Sequence, residues 1–136
     1  MAIPTIEIHE GFLANDNTNI VPARKCNINT QYEIKEDEMI SISCYYLEGY
    51  LETLLKKYFS SDVQLERYND MNEYNEYGWN FYTFEQTNCI LAELEKYIVC
   101  KDTSDEIIEF YARFIRRMKR MLQNMDGYDL ILFEGP

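Results

Sequence analysis

Between Ser104 and Met125 apolar side chains return every three or four residues. Ile107, Tyr111, Phe114, Met118, Met121 and Met125 form one stripe, which Ile108, Phe110, Ile115 and Leu122 widen. That period predicts an amphipathic helix of several turns, with one face committed to a core. Thr103 and Glu106 read as a capping box at its start. Asp105 and Glu106 suit the positive end of the helix dipole, and Gly127 suits the stop. Such a helix cannot bury its stripe alone, so the rest of the chain must supply the facing surface.

Two further helices are predicted. One runs from Phe84 to about Cys100, with Thr83 and Gln86 as a second capping box. Ile90, Leu91, Leu94, Tyr97 and Ile98 make its apolar face. Cys89 and Cys100 stand close to three full turns apart, on one side, and are read as packing residues. The other helix carries Cys44, Leu47, Leu51, Leu54, Leu55 and Tyr58 and ends near Phe59. Its start is open, because Ile40, Ile42 and Cys44 also alternate like a strand.

Alternation predicts strands elsewhere: at Ile6 and Ile8, at Ile28, Tyr32 and Ile34, at Val63 and Leu65, and at Tyr77, Trp79 and Phe81. Leu130–Phe133 is a short apolar run after Gly127. The Asn-rich stretch Gly11–Arg24 contains Pro22 and has no period, so it reads as a loop. Strands and helices are mixed without regular βαβ alternation. The expectation is one α+β domain over 1–136, with about three helices on one face of a small, mostly antiparallel sheet.

Composition bounds the function. There are 24 acidic side chains against 13 basic ones, a net charge of -11. That disfavours a generic nucleic-acid binder, which needs a basic footprint. The 46% hydrophobic fraction argues against disorder. The opening residues carry no basic and apolar leader pattern, and no apolar run could span a bilayer, so a cytoplasmic, membrane-free protein is expected. Cys26, Cys44, Cys89 and Cys100 make no CxxC pair, and His9 is the only histidine, so no metal or other cofactor is expected. The glycines form no phosphate-binding pattern, and no GxSxG elbow occurs. Carboxylate pairs abound, but nothing selects one as a catalytic pair, so no enzymatic activity is expected.

The charge is uneven. Residues 58–95 hold Arg67 as the one base against eight acids, whereas residues 96–125 hold seven bases against four acids. Arg113, Arg116, Arg117, Lys119 and Arg120 read as a charged solvent face, with Glu109 spaced to pair with Arg113. The acidic part is also the aromatic part. Tyr68, Asp70, Glu73, Tyr74, Glu76 and Tyr77 are the candidate partner-binding residues. Aromatics would supply contact area and carboxylates would steer a basic partner.

The acidic profile, together with the tail FYARFIRRMKRMLQNMDGYDLILFEGP from Phe110 to Pro136, resembles the small immunity proteins of bacterial toxin–immunity systems of the contact-dependent inhibition type. The resemblance implies an inhibitor that neutralises a cognate basic toxin, a nuclease for instance, by occluding its active site. Three other readings are compatible with the residues: a DNA mimic that inhibits nucleic-acid enzymes, a small carboxylate-dependent hydrolase, and a homo-oligomeric structural domain.

Overall fold

A computed structural model describes residues 7–26, 31–65, 73–100 and 106–136. The fold is α+β. Strands β1 (His9–Glu10), β2 (Asn17–Lys25), β3 (Tyr32–Ile34), β4 (Ile40–Ser43), β5 (Trp79–Thr83) and β6 (Leu130–Glu134) form one sheet. Its order is β1-β4-β2-β6-β5, with β3 also paired to β2, and every described pairing is antiparallel. Helices α1 (Cys44–Leu47), α2 (Tyr50–Tyr58), α3 (Phe84–Cys100) and α4 (Glu106–Gln123) pack on one face. Among the described residues, no helix is long and apolar enough to cross a membrane.

The central strand is β2, inside the stretch that reads as a loop. Thr18 to Ala23 are buried in unbroken succession, so the strand lacks the alternation that betrays a half-exposed one. Ile20 faces the helices, while Val21 and Ala23 face a second, smaller cluster behind the sheet. Pro22 is tolerated because of where it falls. β4 pairs with β2 as far as Ile20 and β3 takes over at Ala23. The Pro22 carbonyl accepts from the Lys35 N–H at 3.0 Å, so the missing N–H lies at the junction between those two partners.

The long helices follow their sequence period. In α4, Phe110, Tyr111, Phe114, Ile115, Met118, Met121 and Leu122 are buried. Each buried side chain of this size contributes about 1.5–3 kcal/mol before ordering entropy is subtracted. Its expected capping residue, Thr103, lies outside the described residues. At the start of α3 the capping box forms: Gln86 N–H donates to Thr83 Oγ1 at 3.0 Å, and Thr83 N–H to Gln86 Oε1 at 2.9 Å.

The helix expected from Cys44 to Tyr58 is instead two. Gly49 adopts φ 103°, a conformation open to glycine and costly for other residues, and the chain turns there between α1 and α2. Ile40 and Ile42 belong to β4, and Cys44 begins α1. Several tyrosines are spent on this core rather than on the surface. Tyr46 donates to Glu106 at 2.8 Å, Tyr82 donates to the Leu55 carbonyl at 2.6 Å, and Tyr111 accepts from the Leu51 N–H at 3.2 Å. Each hydroxyl thus keeps a partner while its ring is buried.

Other sequence expectations are corrected. Val63 and Leu65 do not form a strand: Ser61–Val63 is a 3-10 turn after Ser60, and Leu65 is buried in the second cluster. Serine and aspartate at 60–62 favour a turn over a four-residue alternation. The first strand is His9–Glu10, later than expected, and Ile6 lies outside the described residues, as does Ile28. Cys89 and Cys100 are exposed rather than part of the core. Arg117 is not on a solvent face. It is 8% exposed, donates to Glu10 at 2.8 and 3.0 Å, and lies 3.6 Å from Glu38, which ties α4 to edge strand β1. The expected Arg113–Glu109 pair forms at 2.9 Å.

The outer edge of β5 is closed by a side chain. Gln64 Oε1 accepts from the Phe81 N–H and its Nε2 donates to the Phe81 carbonyl, both at 2.8 Å. One amide therefore occupies the positions that a neighbouring strand would take.

Candidate functional site

The site begins with the turn before β5. Asn80 is 2% exposed, and its amide grips Asn75: Oδ1 accepts from the Asn75 N–H at 2.9 Å, and Nδ2 donates to the Asn75 carbonyl at 2.7 Å. That same carbonyl accepts from the Gly78 N–H at 3.0 Å, and Asn75 Oδ1 accepts from the Tyr77 N–H at 3.0 Å. A Cβ at Gly78 would come within 2.8 Å of the Asn75 amide nitrogen, so the Asn75 side chain would have to shift to admit one. The Gly135 N–H donates to the Gly78 carbonyl at 2.8 Å, and a Cβ at Gly135 would overlap the Glu76 carbonyl. The end of β6 is thereby fastened to the turn, which holds Glu76 and Tyr77 outward.

Those two residues border a groove. Its wider part has a volume of about 250 Å³ and is lined by Glu52, Lys56 and residues 73–77. A narrower part of about 110 Å³ adjoins it, sharing Glu52, Glu76 and Tyr77 and adding Asp16, Cys44, Leu47, Glu48 and Pro136. Five carboxylates (Asp16, Glu48, Glu52, Glu73 and Glu76) thus meet one cation, Lys56, among the described lining residues. Asp16 reaches the groove from a turn in which Asn15 and Asp16 take positive φ, a conformation that these two residue types adopt more readily than most. The Asp16 carbonyl accepts from the Cys44 N–H at 2.9 Å, which joins that turn to the start of α1.

Protonation equilibria register the negative field. The Tyr77 hydroxyl is raised from its usual range, first by the charge of Glu76. Tyr74 is raised mainly by burial, then by Glu52 and Glu76. The Cys44 thiol is raised mainly by burial, with Asp16, Glu48 and Glu76 adding to it. Burial and the neighbouring acids together disfavour the anionic forms of these groups, so the groove presents neutral tyrosine rings and a neutral thiol among carboxylate acceptors. Among the described residues, no group of three histidine, cysteine, aspartate or glutamate side chains is placed to hold a metal ion.

Of the six residues singled out from sequence, the structure brings four to this groove. Glu73 and Glu76 are exposed, Tyr77 is 69% exposed, and Tyr74 is half-buried against the main core while still lining the groove. Tyr68 and Asp70 lie outside the described residues. Of the neighbouring aromatics, Phe81 is buried and Trp79 half-buried, both in the cluster behind the sheet. Sequence reasoning missed Asp16, Glu48, Glu52 and Lys56. A signal existed for three of them: Glu48, Glu52 and Lys56 are spaced four apart, off the apolar stripe of their segment.

Comparison with family models, with curated proteins and with solved structures finds no match, so the site stands on its own geometry.

Proposed function

We propose that this chain is a protein-binding inhibitor of the immunity type, which acts in the cytoplasm and neutralises a basic toxin domain, a nuclease for instance, by occluding its active site. The observation that supports this reading is the convergence of five carboxylates on one groove, beside the exposed ring of Tyr77. A basic surface would be attracted from a distance by the acids and anchored at contact by the tyrosines. Long-range attraction raises the rate of encounter and falls with added salt, whereas ring contacts govern the lifetime of the complex.

The test needs a basic toxin domain, to be sought in the reading frames that neighbour this chain's own. Association is followed by stopped-flow for the wild type and for Glu73→Lys combined with Glu76→Lys. The double variant should associate about tenfold more slowly or worse, and the wild-type rate should fall as salt rises. Equal rates that ignore salt would place the contact surface elsewhere.

A further inference from the structure

We infer that the sheet face turned away from the helices carries a second contact surface, where Glu134 receives a lysine or arginine of a protein partner and Phe12 and Leu13 receive the apolar residues beside it. This goes beyond the acidic groove, which is lined from the helix side. The pairings set one row of residues in register across five strands: His9 on β1, Ser41 on β4, Asn19 on β2, Glu134 on β6 and Trp79 on β5. Residues facing one another in such a row share one side of the sheet, with Cβ atoms about 4.5–5.5 Å apart. Here that side is the rear. Ile20, Ile40 and Phe133, next in sequence to Asn19, Ser41 and Glu134, belong to the core under the helices, so alternation turns the row the other way.

Within the row, Ser41 and Asn19 are buried, and Asn19 spends its amide on the segment that crosses it. Leu13 N–H donates to Asn19 Oδ1, and Asn19 Nδ2 donates to the Leu13 carbonyl, both at 3.0 Å. That segment presents Phe12 at 60% and Leu13 at 37% exposure, the only two exposed large apolar side chains adjacent in the chain among the described residues. Glu134, directly opposite Asn19, is half-buried, and burial alone raises its carboxyl. Its oxygens are not sealed: the enclosed side-chain atoms without a hydrogen bond, among the described residues, belong to Glu38, Ser41, Glu52 and Arg117. A half-buried carboxylate without a counter-charge costs stability, and a partner's cation would offset that cost. Trp79, half-buried on the other flank of Glu134, adds a ring beside which a cation is favoured. The exposed apolar pair would gain nothing from a simple cation, and the carboxylate repels a polyanion. What fits is a protein surface with one basic residue among apolar ones.

The test titrates acetylated leucyl-arginyl-leucine amide into the full chain, with amide shifts read by NMR. Peptides with glycine for both leucines, or glutamate for the arginine, run in parallel. Shifts should centre on residues 12–13, 79 and 132–134, and both control peptides should bind several-fold more weakly. Glu134→Gln should weaken binding about tenfold, and Phe12→Ser several-fold. Glu85→Gln, which removes the same charge at the far end of β5, should leave binding within about twofold, as should Glu73→Lys combined with Glu76→Lys. Phe12 is exposed and Glu134 has no partner to lose, so both variants should fold. Absence of shifts at these residues, shifts confined to the groove or spread over the acidic surface, or a Glu134→Gln effect no larger than that of Glu85→Gln would overturn the inference. The toxin experiment reads Glu73 and Glu76 instead, so the two ideas can fail separately.

Discussion

The amide of Asn80 binds the amide and the carbonyl of Asn75 at once, at 2.9 and 2.7 Å. A buried side chain in β5 thus takes both backbone groups of the turn that presents Glu76 and Tyr77. The turn that carries Glu76 is thereby held to the sheet through the backbone of Asn75. The arrangement couples the stability of the sheet to the shape of the binding surface.

Asn80→Leu removes both bonds, which strands the Asn75 N–H and leaves the Asn75 carbonyl with the Gly78 N–H alone. Stability should fall by about 2–3 kcal/mol, read as a lower urea midpoint with an unchanged slope. The same variant should slow association with a basic partner although residue 80 itself is buried. Normal stability would mean that the turn holds itself through Asn75 and Gly78.

Gln64→Ala opens the outer edge of β5. The lost pair of bonds at Phe81 should cost about 1–2 kcal/mol. The uncovered N–H and C=O are then free to pair with a second chain, so light scattering should detect association that the wild type does not show at equal concentration. A Gln64→Glu variant keeps an acceptor for the Phe81 N–H but loses the donor to its carbonyl, and should fall between the two.

Two carboxyls respond to pH with opposite signs. Glu10 is held below its ordinary value of 4.5, first by the hydrogen bond from Arg117, against the pull of partial burial. Its stabilisation is present above the unfolded value and is lost as pH falls through the lowered folded value. Glu134 is raised by burial alone, so its contribution is full below the unfolded value and is lost as pH rises through the raised folded one. Glu10→Gln should therefore lower the thermal midpoint near neutral pH, and Glu134→Gln should raise it. Both differences should shrink as pH falls through the range in which the two carboxyls become protonated. Thermal scans across that range check the signs.

Gly135→Ala places a methyl group against the Glu76 carbonyl. The turn and the end of β6 must then separate, and the Gly135–Gly78 hydrogen bond stretches or breaks. Expected are a loss of about 1–3 kcal/mol and a shift of the Tyr77 amide resonance. Arg117→Met, by contrast, should cost about 3 kcal/mol by stranding Glu38, yet leave the groove resonances in place.

How far the sequence reaches can be seen residue by residue. The helices α3 and α4 were legible because one face is wet and the other dry, which writes a period into the chain. β2 was not, because both its faces are covered and Pro22 imitates a loop signal. Arg117 looked like its exposed neighbours because a buried ion pair has no local sequence mark: Glu10 lies more than a hundred positions away. The groove was half legible for the same reason. Glu73 to Tyr77 are contiguous, but Asp16, Glu48 and Glu52 join them only through the pairing of β2 with β4 and the turn at Gly49.

The position of β6 sets an order of events. It lies between β2 and β5, paired to each over five residues, yet it is synthesised after both. Until it inserts, the two halves of the sheet have no shared strand, and the inner edges of β2 and β5 stand open. Folding therefore waits on a contact between distant parts of the chain, which slows it. During that wait, the chain's surplus of negative charge, which keeps copies apart, is its main protection against pairing with a neighbour.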